Sequence, residues 1–200
     1  FLNIITGKLM PDEGTVEWSN RVTVGYLDQH AALTPGTTIR DNLRLAFNHL
    51  FELEQEMLTI YEKVGEASES EMNKMMEDAA EIQTILDHSG FYTLDSKIEE
   101  VAQGLGLGDI GLERKVDELS GGQRTKILLA KLLLEKPDIL LLDEPTNYLD
   151  EEHIVWLKRY LQEYENAFVL ISHDIPFLNE VINIIYHMEN QELNRCVGDY

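Results

Sequence analysis

The chain is poor in cysteine, in basic residues and in long apolar runs, and each shortage excludes something. Its one cysteine, Cys196, excludes an internal disulfide and suits a reducing cytosol. No Cys–His–Asn context surrounds it, so it reads as filler in a C-terminal strand rather than a catalytic thiol. No apolar run reaches the ~18 residues of a spanning helix, and no basic-then-apolar leader opens the chain. The expectation is a cytoplasmic protein with no membrane partner. Lys and Arg number 16 against 37 Asp and Glu, a net charge of −21. That balance discourages simple electrostatic attraction to nucleic acid or an anionic membrane, although a local basic patch stays open. Also lacking is a complete phosphate-binding loop, G-x-x-x-x-G-K-[ST]. Its N–H groups cradle phosphates, its Lys reaches the β and γ positions, and its hydroxyl binds Mg²⁺. "FLNIITGK" ends in the right pair, Gly7-Lys8, but Leu2 and Leu9 stand where Gly and Ser or Thr are required. The pair is read as the end of a helix, followed by a turn at Pro11.

What is present is an ordinary globular composition, 44% hydrophobic and 26% charged, enough for one large domain or a domain with an insertion. "GTVEWSN" and "RVTVGYLDQ" are β-rich runs expected to meet in a hairpin at Ser19-Asn20. From Leu43 to Val64 apolar residues recur at spacings of three and four, predicting a long amphipathic helix. "GEASES" breaks it. A second stripe through Met72, Met75, Ala79, Ile82 and Leu86 closes at Gly90, so the two form an αα-hairpin. Ser96 and Glu99 are spaced as a capping box that would start a helix ended by the Gly104/Gly106/Gly108 cluster. Ser120 and Gln123 repeat that spacing before a helix running to Pro137. "DILLLDEP" and "AFVLISHD" are short, unalternating apolar runs, as expected of parallel strands buried on both faces. Asp150 is placed to cap the helix between them, and the tail is expected to be a hairpin turning at Glu189–Gln191. The fold class is therefore α/β, with a mostly parallel core sheet, a small antiparallel β part and an inserted helical hairpin.

Several residues have chemical potential at these positions. Asp143-Glu144 closes a strand at its carboxyl end, where open α/β sheets bind ligands. Adjacent carboxylates there can divide labour, one on Mg²⁺ and one beside a nucleophilic water. An ordinary Asp-Glu turn before Pro145 explains the pair equally well. His173 follows the next strand in the same way and gains meaning only from that company. Leu119-Ser-Gly-Gly-Gln123 opens a helix with two glycines, which let an anion approach N–H groups at the positive helix end. A capping box accounts for Ser120 and Gln123 but not for Gly121 and Gly122, each of which lowers helix propensity by roughly 1 kcal/mol. Gln29, past the first strand, could offer its amide oxygen to a metal or water, or simply be solvated.

Taken in order, "YLDQH", "LSGGQ", "ILLLDEPTNYLD" and "VLISHD" resemble the Q-loop, signature, Walker B with D-loop, and His-switch of the ABC ATPase superfamily. The likeness covers essentially the whole chain. It implies ATP and Mg²⁺ as cofactors, with Asp143 and Gln29 at the metal, Glu144 polarising the attacking water and His173 at the γ-phosphate. Gln29 would also help to complete the water shell. Ser120, Gly121, Gly122 and Gln123 would bind the γ-phosphate of a nucleotide held by a second ABC domain, and Asp150 would lie at the contact between the two domains. Three parts follow: residues 1–40 as an ATPase core lacking its P-loop, 41–118 as a helical subdomain with the hairpin, and 119–200 as signature helix and remaining core. The resemblance places the missing loop immediately before Phe1.

"DEPTNYLD" and "SHDIPFLN" resemble the ABC-F group, proteins with two ATPase domains in one chain and no membrane domain, which act on the ribosome in translation or in antibiotic resistance. From Gln29 to Leu119 is 90 positions, and the hairpin within that span is similar to the group's "arm". Residues 41–100 hold four basic residues against fifteen acidic ones, a net of −11, where an RNA-gripping arm should be basic. This arm is expected to meet a basic protein, or RNA only near its tip. Two other readings compete: the ATPase subunit of a membrane transporter, and an interaction module or inactive fragment. Without a P-loop the 200-residue chain alone is expected to be inactive.

Overall fold

The structure, a computed structural model, describes residues 1–28, 30–190 and 192–198. Its centre is a parallel sheet of β1 (Val24–Tyr26), β2 (Ile139–Asp143) and β3 (Ala167–Ile171), in the order β1-β2-β3. Tyr26 pairs with Leu141, and Asp143 with Ile171, so the carboxyl ends of all three strands share one edge. Leu140, Leu141 and Leu142 are fully buried in the central strand, and burial of each stabilises the sheet by roughly 1.5–3 kcal/mol. β3 is only half-buried, because among the described strands it forms the sheet's edge. This corrects the expectation of burial on both faces.

The expected hairpin at Ser19-Asn20 is absent. The chain does turn there, with Val22 N–H donating to the Ser19 carbonyl at 3.1 Å. The first run is not a strand; its Trp18 donates from Nε1 to the Ile5 carbonyl at the end of α1 (Leu2–Ile5). The second run leaves the turn to become β1 against β2. Alternation of residues marks a strand but not its partner, and β2 offers an apolar, water-free ladder that a surface hairpin lacks. Gly25 permits the close approach: a Cβ there would lie 2.5 Å from Leu132 and 2.6 Å from Pro137.

The predicted long helix is two pieces, α2 (Ile39–Arg44) and α3 (Asn48–Lys63), joined by a 3₁₀ turn over Leu45–Phe47. α4 (Glu69–Ser89) returns along α3, with Leu50, Met57, Ala79, Ile82 and Leu86 buried in the hairpin. Gly90 ends α4 in the left-handed region, φ 68°, as expected of a glycine C-cap. α5 (Leu94–Gly104) begins two residues before Ser96 and has no side-chain cap. The Ser96/Glu99 spacing is thus coincidental, because the buried Leu94 already fixes the first turn.

α6 (Gly121–Glu135) carries the predicted capping box and packs under the sheet through Ile127, Leu129, Leu133 and their neighbours. α7 (Glu151–Gln162) links β2 to β3, and α8 (Ile175–Val181) follows β3. The tail forms the antiparallel pair β4 (Ile184–Glu189) and β5 (Glu192–Val197), turning through Asn190 at φ 50°.

Candidate functional site

Parallel register brings Asp143, Glu144 and His173 to the carboxyl edge of the sheet. Asp143 is the last residue of β2, and Glu144 N–H extends the ladder by donating to the Ile171 carbonyl at 2.8 Å. Glu144 then turns sharply, at φ 47° and ψ 52°, a left-handed conformation that costs a non-glycine residue about 1–3 kcal/mol. The turn lets Pro145–Tyr148 form a 3₁₀ helix while the Glu144 carboxylate faces the end of β3. There Oε2 accepts the His173 backbone N–H at 3.3 Å. Oε1 is buried and, among the described residues, accepts no hydrogen bond. The His173 ring brings Nε2 to 3.2 Å from it, without hydrogen-bond alignment. The imidazole itself is 96% exposed, so it can swing toward a group arriving from solvent.

On the same edge lies an open cleft of about 480 Å³, lined by Asn3, Lys8, Tyr26, Asp28, His30 and Asp143 among others. Asp28 sits on the loop leaving β1. Its carboxylate receives Lys8 Nζ at 2.9 Å and the His30 N–H at 3.1 Å. The Lys8 hydrogen bond first, then the His30 N–H, hold the Asp28 carboxyl below its ordinary value. Lys8 also lies 4.7 Å from the Tyr26 ring centroid, a cation–π distance. Gln29 lies outside the described residues.

The signature stretch does not line this cleft. Ser120 caps α6: its Oγ accepts the Gln123 N–H at 3.3 Å, and Gln123 Oε1 accepts the Ser120 N–H at 2.9 Å. Gly121 and Gly122 fill the first turn, whose N–H groups have no helical acceptor. A Cβ on Gly121 would meet nothing within 4 Å, and one on Gly122 would lie 3.7 Å from Tyr148. The N-terminal end of α6 is thus open at Gly121 and bordered by Tyr148 at Gly122. Asp150 is the N-cap of α7 by its backbone, its carbonyl accepting from His153 and Ile154 at 2.9 and 3.0 Å. Its carboxylate makes no cap hydrogen bond, which corrects the expectation of a side-chain cap.

The family model described as "ABC transporter" matches residues 1–147. The chain belongs to the ABC ATPase family. This ABC domain is 70% identical over 200 residues to the ABC transporter ATP-binding protein YfmM of Bacillus subtilis, covering 100% of the chain and 39% of that protein. It is 32% identical over 199 residues to the energy-dependent translational throttle protein EttA of Escherichia coli K12, covering 100% of the chain and 35% of EttA. Among solved structures, the ATP-binding subunit of an ABC transporter matches at a TM-score of 0.64 and 16% identity, over 98% of this chain and 72% of that one. The archaeal ribosome recycling factor aABCE1, in complex with the stalk protein aP1, matches at 0.57 and 24%, over 95% of this chain and 29% of the other. Those two establish the shared fold. The chain spans only 31–39% of the length of these and another curated relative.

Among the described residues no three His, Cys, Asp or Glu side chains gather into a ready-made metal site. Mg²⁺ commonly takes one or two carboxylates, several waters and substrate phosphates, and Asp143 at the cleft provides one such carboxylate. The sequence reading passed over Asp28 and the left-handed backbone of Glu144, and took Lys8 only as part of a helix end. An aspartate one residue before Gln29, at the end of a predicted strand, was a usable signal for the first. Lys8 was signalled only by the Gly7-Lys8 pair, and nothing in the sequence marks the Glu144 turn.

Proposed function

We propose that this domain binds ATP with Mg²⁺ and hydrolyses it as half of a two-domain sandwich. The observation that carries the reading is Glu144, whose buried Oε1, without a hydrogen-bond partner among the described residues, stands beside Asp143 and His173 at the carboxyl edge of the sheet. Asp143 holds the metal, which neutralises developing phosphate charge. Glu144 orients and deprotonates the attacking water. His173 meets the γ-phosphate, and Gln29 completes the metal and water shell. Ser120, Gly121, Gly122 and Gln123 present the α6 N-terminus to the γ-phosphate of a nucleotide held by the second ABC domain. Asp150 belongs to the contact between the domains.

The parent belongs to the ABC-F group and acts on the ribosome from the cytoplasm. The likeness to EttA and the α3–α4 hairpin in the arm position support this. Its acidic arm, −11 over residues 41–100, suits a basic protein partner better than RNA phosphates. The rival is a transporter subunit, favoured by the family description and by the transporter subunit sharing the fold. Co-sedimentation of the full-length protein with ribosomes and with membranes separates them. ATP-dependent association with ribosomes is expected, and association with membranes alone would replace this reading with the transporter one.

A further inference from the structure

The signature stretch is tied to the hairpin by contacts outside the motifs. Residues 36–40 run antiparallel to 112–117, the segment that ends just before Leu119. Arg40 N–H donates to the Leu112 carbonyl at 2.9 Å, Ile39 N–H to Arg114 at 3.0 Å, and Val116 N–H to Thr37 at 3.0 Å. Thr38 and Lys115 form the β-bridge between them, and Gly36 N–H donates to the Asp117 carboxylate at 2.6 Å. Thus α2, the root from which the hairpin departs, is zipped to the approach to α6.

One side chain gathers the third piece. Arg40 donates from Nε to Glu113 at 2.7 Å and from Nη2 to Glu99 at 3.1 Å, and its Nη1 lies 3.8 Å from Asp95. Glu113 is on the pre-signature loop, whereas Asp95 and Glu99 are on α5, the root by which the hairpin returns. Arg44, also on α2, takes Asp95 with two hydrogen bonds at 3.2 and 3.1 Å. The Arg40 side chain is only 24% exposed, and its neighbour Ile39 is fully buried. A guanidinium forked between two elements fixes their relative orientation, which a point-charge ammonium does not.

From this geometry we infer that Arg40 is a positioning residue for ATP hydrolysis: it clamps both hairpin roots to the pre-signature loop and so sets where Ser120–Gln123 stand. The inference rests on the proposed role of that stretch. Because the second domain holds most of the nucleotide, a misplaced signature weakens the transition state more than ATP binding. Displacement by about an ångström can cost up to about 100-fold in rate.

The test measures steady-state ATP hydrolysis in the full-length protein for Arg40→Gln, Arg40→Lys and Glu113→Gln. Glu113 is largely exposed, so its substitution spares the fold even if Arg40→Gln does not. Expected are a kcat about fivefold or more lower in Arg40→Gln and Glu113→Gln, a KM for ATP-Mg²⁺ within about twofold, and partial recovery in Arg40→Lys. Hydrogen exchange over 112–120 should quicken in the same variants. Glu165→Gln, which removes the remote Lys136–Glu165 ion pair, serves as control. Wild-type kcat in both Arg40→Gln and Glu113→Gln, or an equal loss in Glu165→Gln, overturns the inference. Gly122→Asp separates the two levels. If it abolishes hydrolysis while the Arg40 variants do not, the clamp is refuted and the signature reading stands; if it too is fully active, the signature reading is at fault.

Discussion

Replacing Gly104 with alanine tests how α7 is seated, and with it the segment that begins at Asp150. Gly104 is the last residue of α5, and a Cβ there would fall inside the Trp156 indole. Trp156 in turn stacks on Tyr160, with ring centroids 5.3 Å apart at 26°. The methyl group must expel the indole or push α5 from α7. Overpacking of this kind costs about 1–3 kcal/mol. Loss of the aromatic stack adds roughly 0.5–1.5 kcal/mol. Against this, alanine gains at most about 1 kcal/mol over glycine in a helix. The net is a destabilisation of about 2 kcal/mol, which for a domain of this size lowers Tm by about 4–8 °C. Thermal and guanidinium unfolding followed by tryptophan fluorescence would read it. The same substitution in a Trp156→Leu background should cost close to nothing, giving a coupling of about 1–2 kcal/mol. An unchanged or raised Tm for Gly104→Ala in the wild-type background would refute the packing argument.

Two further outcomes follow from the hydrogen-bond pattern. Burial first, then the neighbouring Tyr164 and Glu100, push the Tyr160 phenol up to about 12 from 10.0, while its OH donates to the Leu133 carbonyl at 2.8 Å. Its contribution to stability is therefore intact below pH 10.0 and is lost as pH climbs to about 12, because the unfolded chain gives up the proton first. Ultraviolet titration should show a late-ionising tyrosine that Tyr160→Phe removes; no change in the late fraction would refute this. Ser120→Ala removes the α6 capping box and should cost about 1 kcal/mol, or roughly 2–4 °C in Tm. A Tm equal to the wild type would mean that the Ser120 hydroxyl does not cap the helix.

How much was readable depended on whether a local rule had a rival. "DILLLDEP" could be placed as a central parallel strand because nothing but burial on both faces explains three consecutive leucines between a helix and an acidic turn. The Ser120 cap was readable because two glycines leave the helix no other start. The Ser19-Asn20 hairpin was misread because a period of two specifies a strand and not its neighbour; that choice was made by β2, over a hundred residues away. Ser96 failed as a cap because buried Leu94 sets the start of α5. Within the candidate site, residue types at strand ends pointed to Asp143, Glu144 and His173. The approach of the Glu144 carboxylate to His173 depends on a left-handed turn that the sequence does not announce. The Arg40 clamp was equally invisible, since its partners lie 59 and 73 positions away.

If Glu144 is the base that activates the water attacking ATP, Glu144→Gln in the full-length protein is the decisive substitution. A positioned general base contributes about 10²–10⁴-fold to rate. The variant is expected to bind ATP-Mg²⁺ normally, to hydrolyse it at least about 100-fold more slowly and to accumulate as the closed two-domain sandwich. Turnover at the wild-type rate would contradict that role for Glu144.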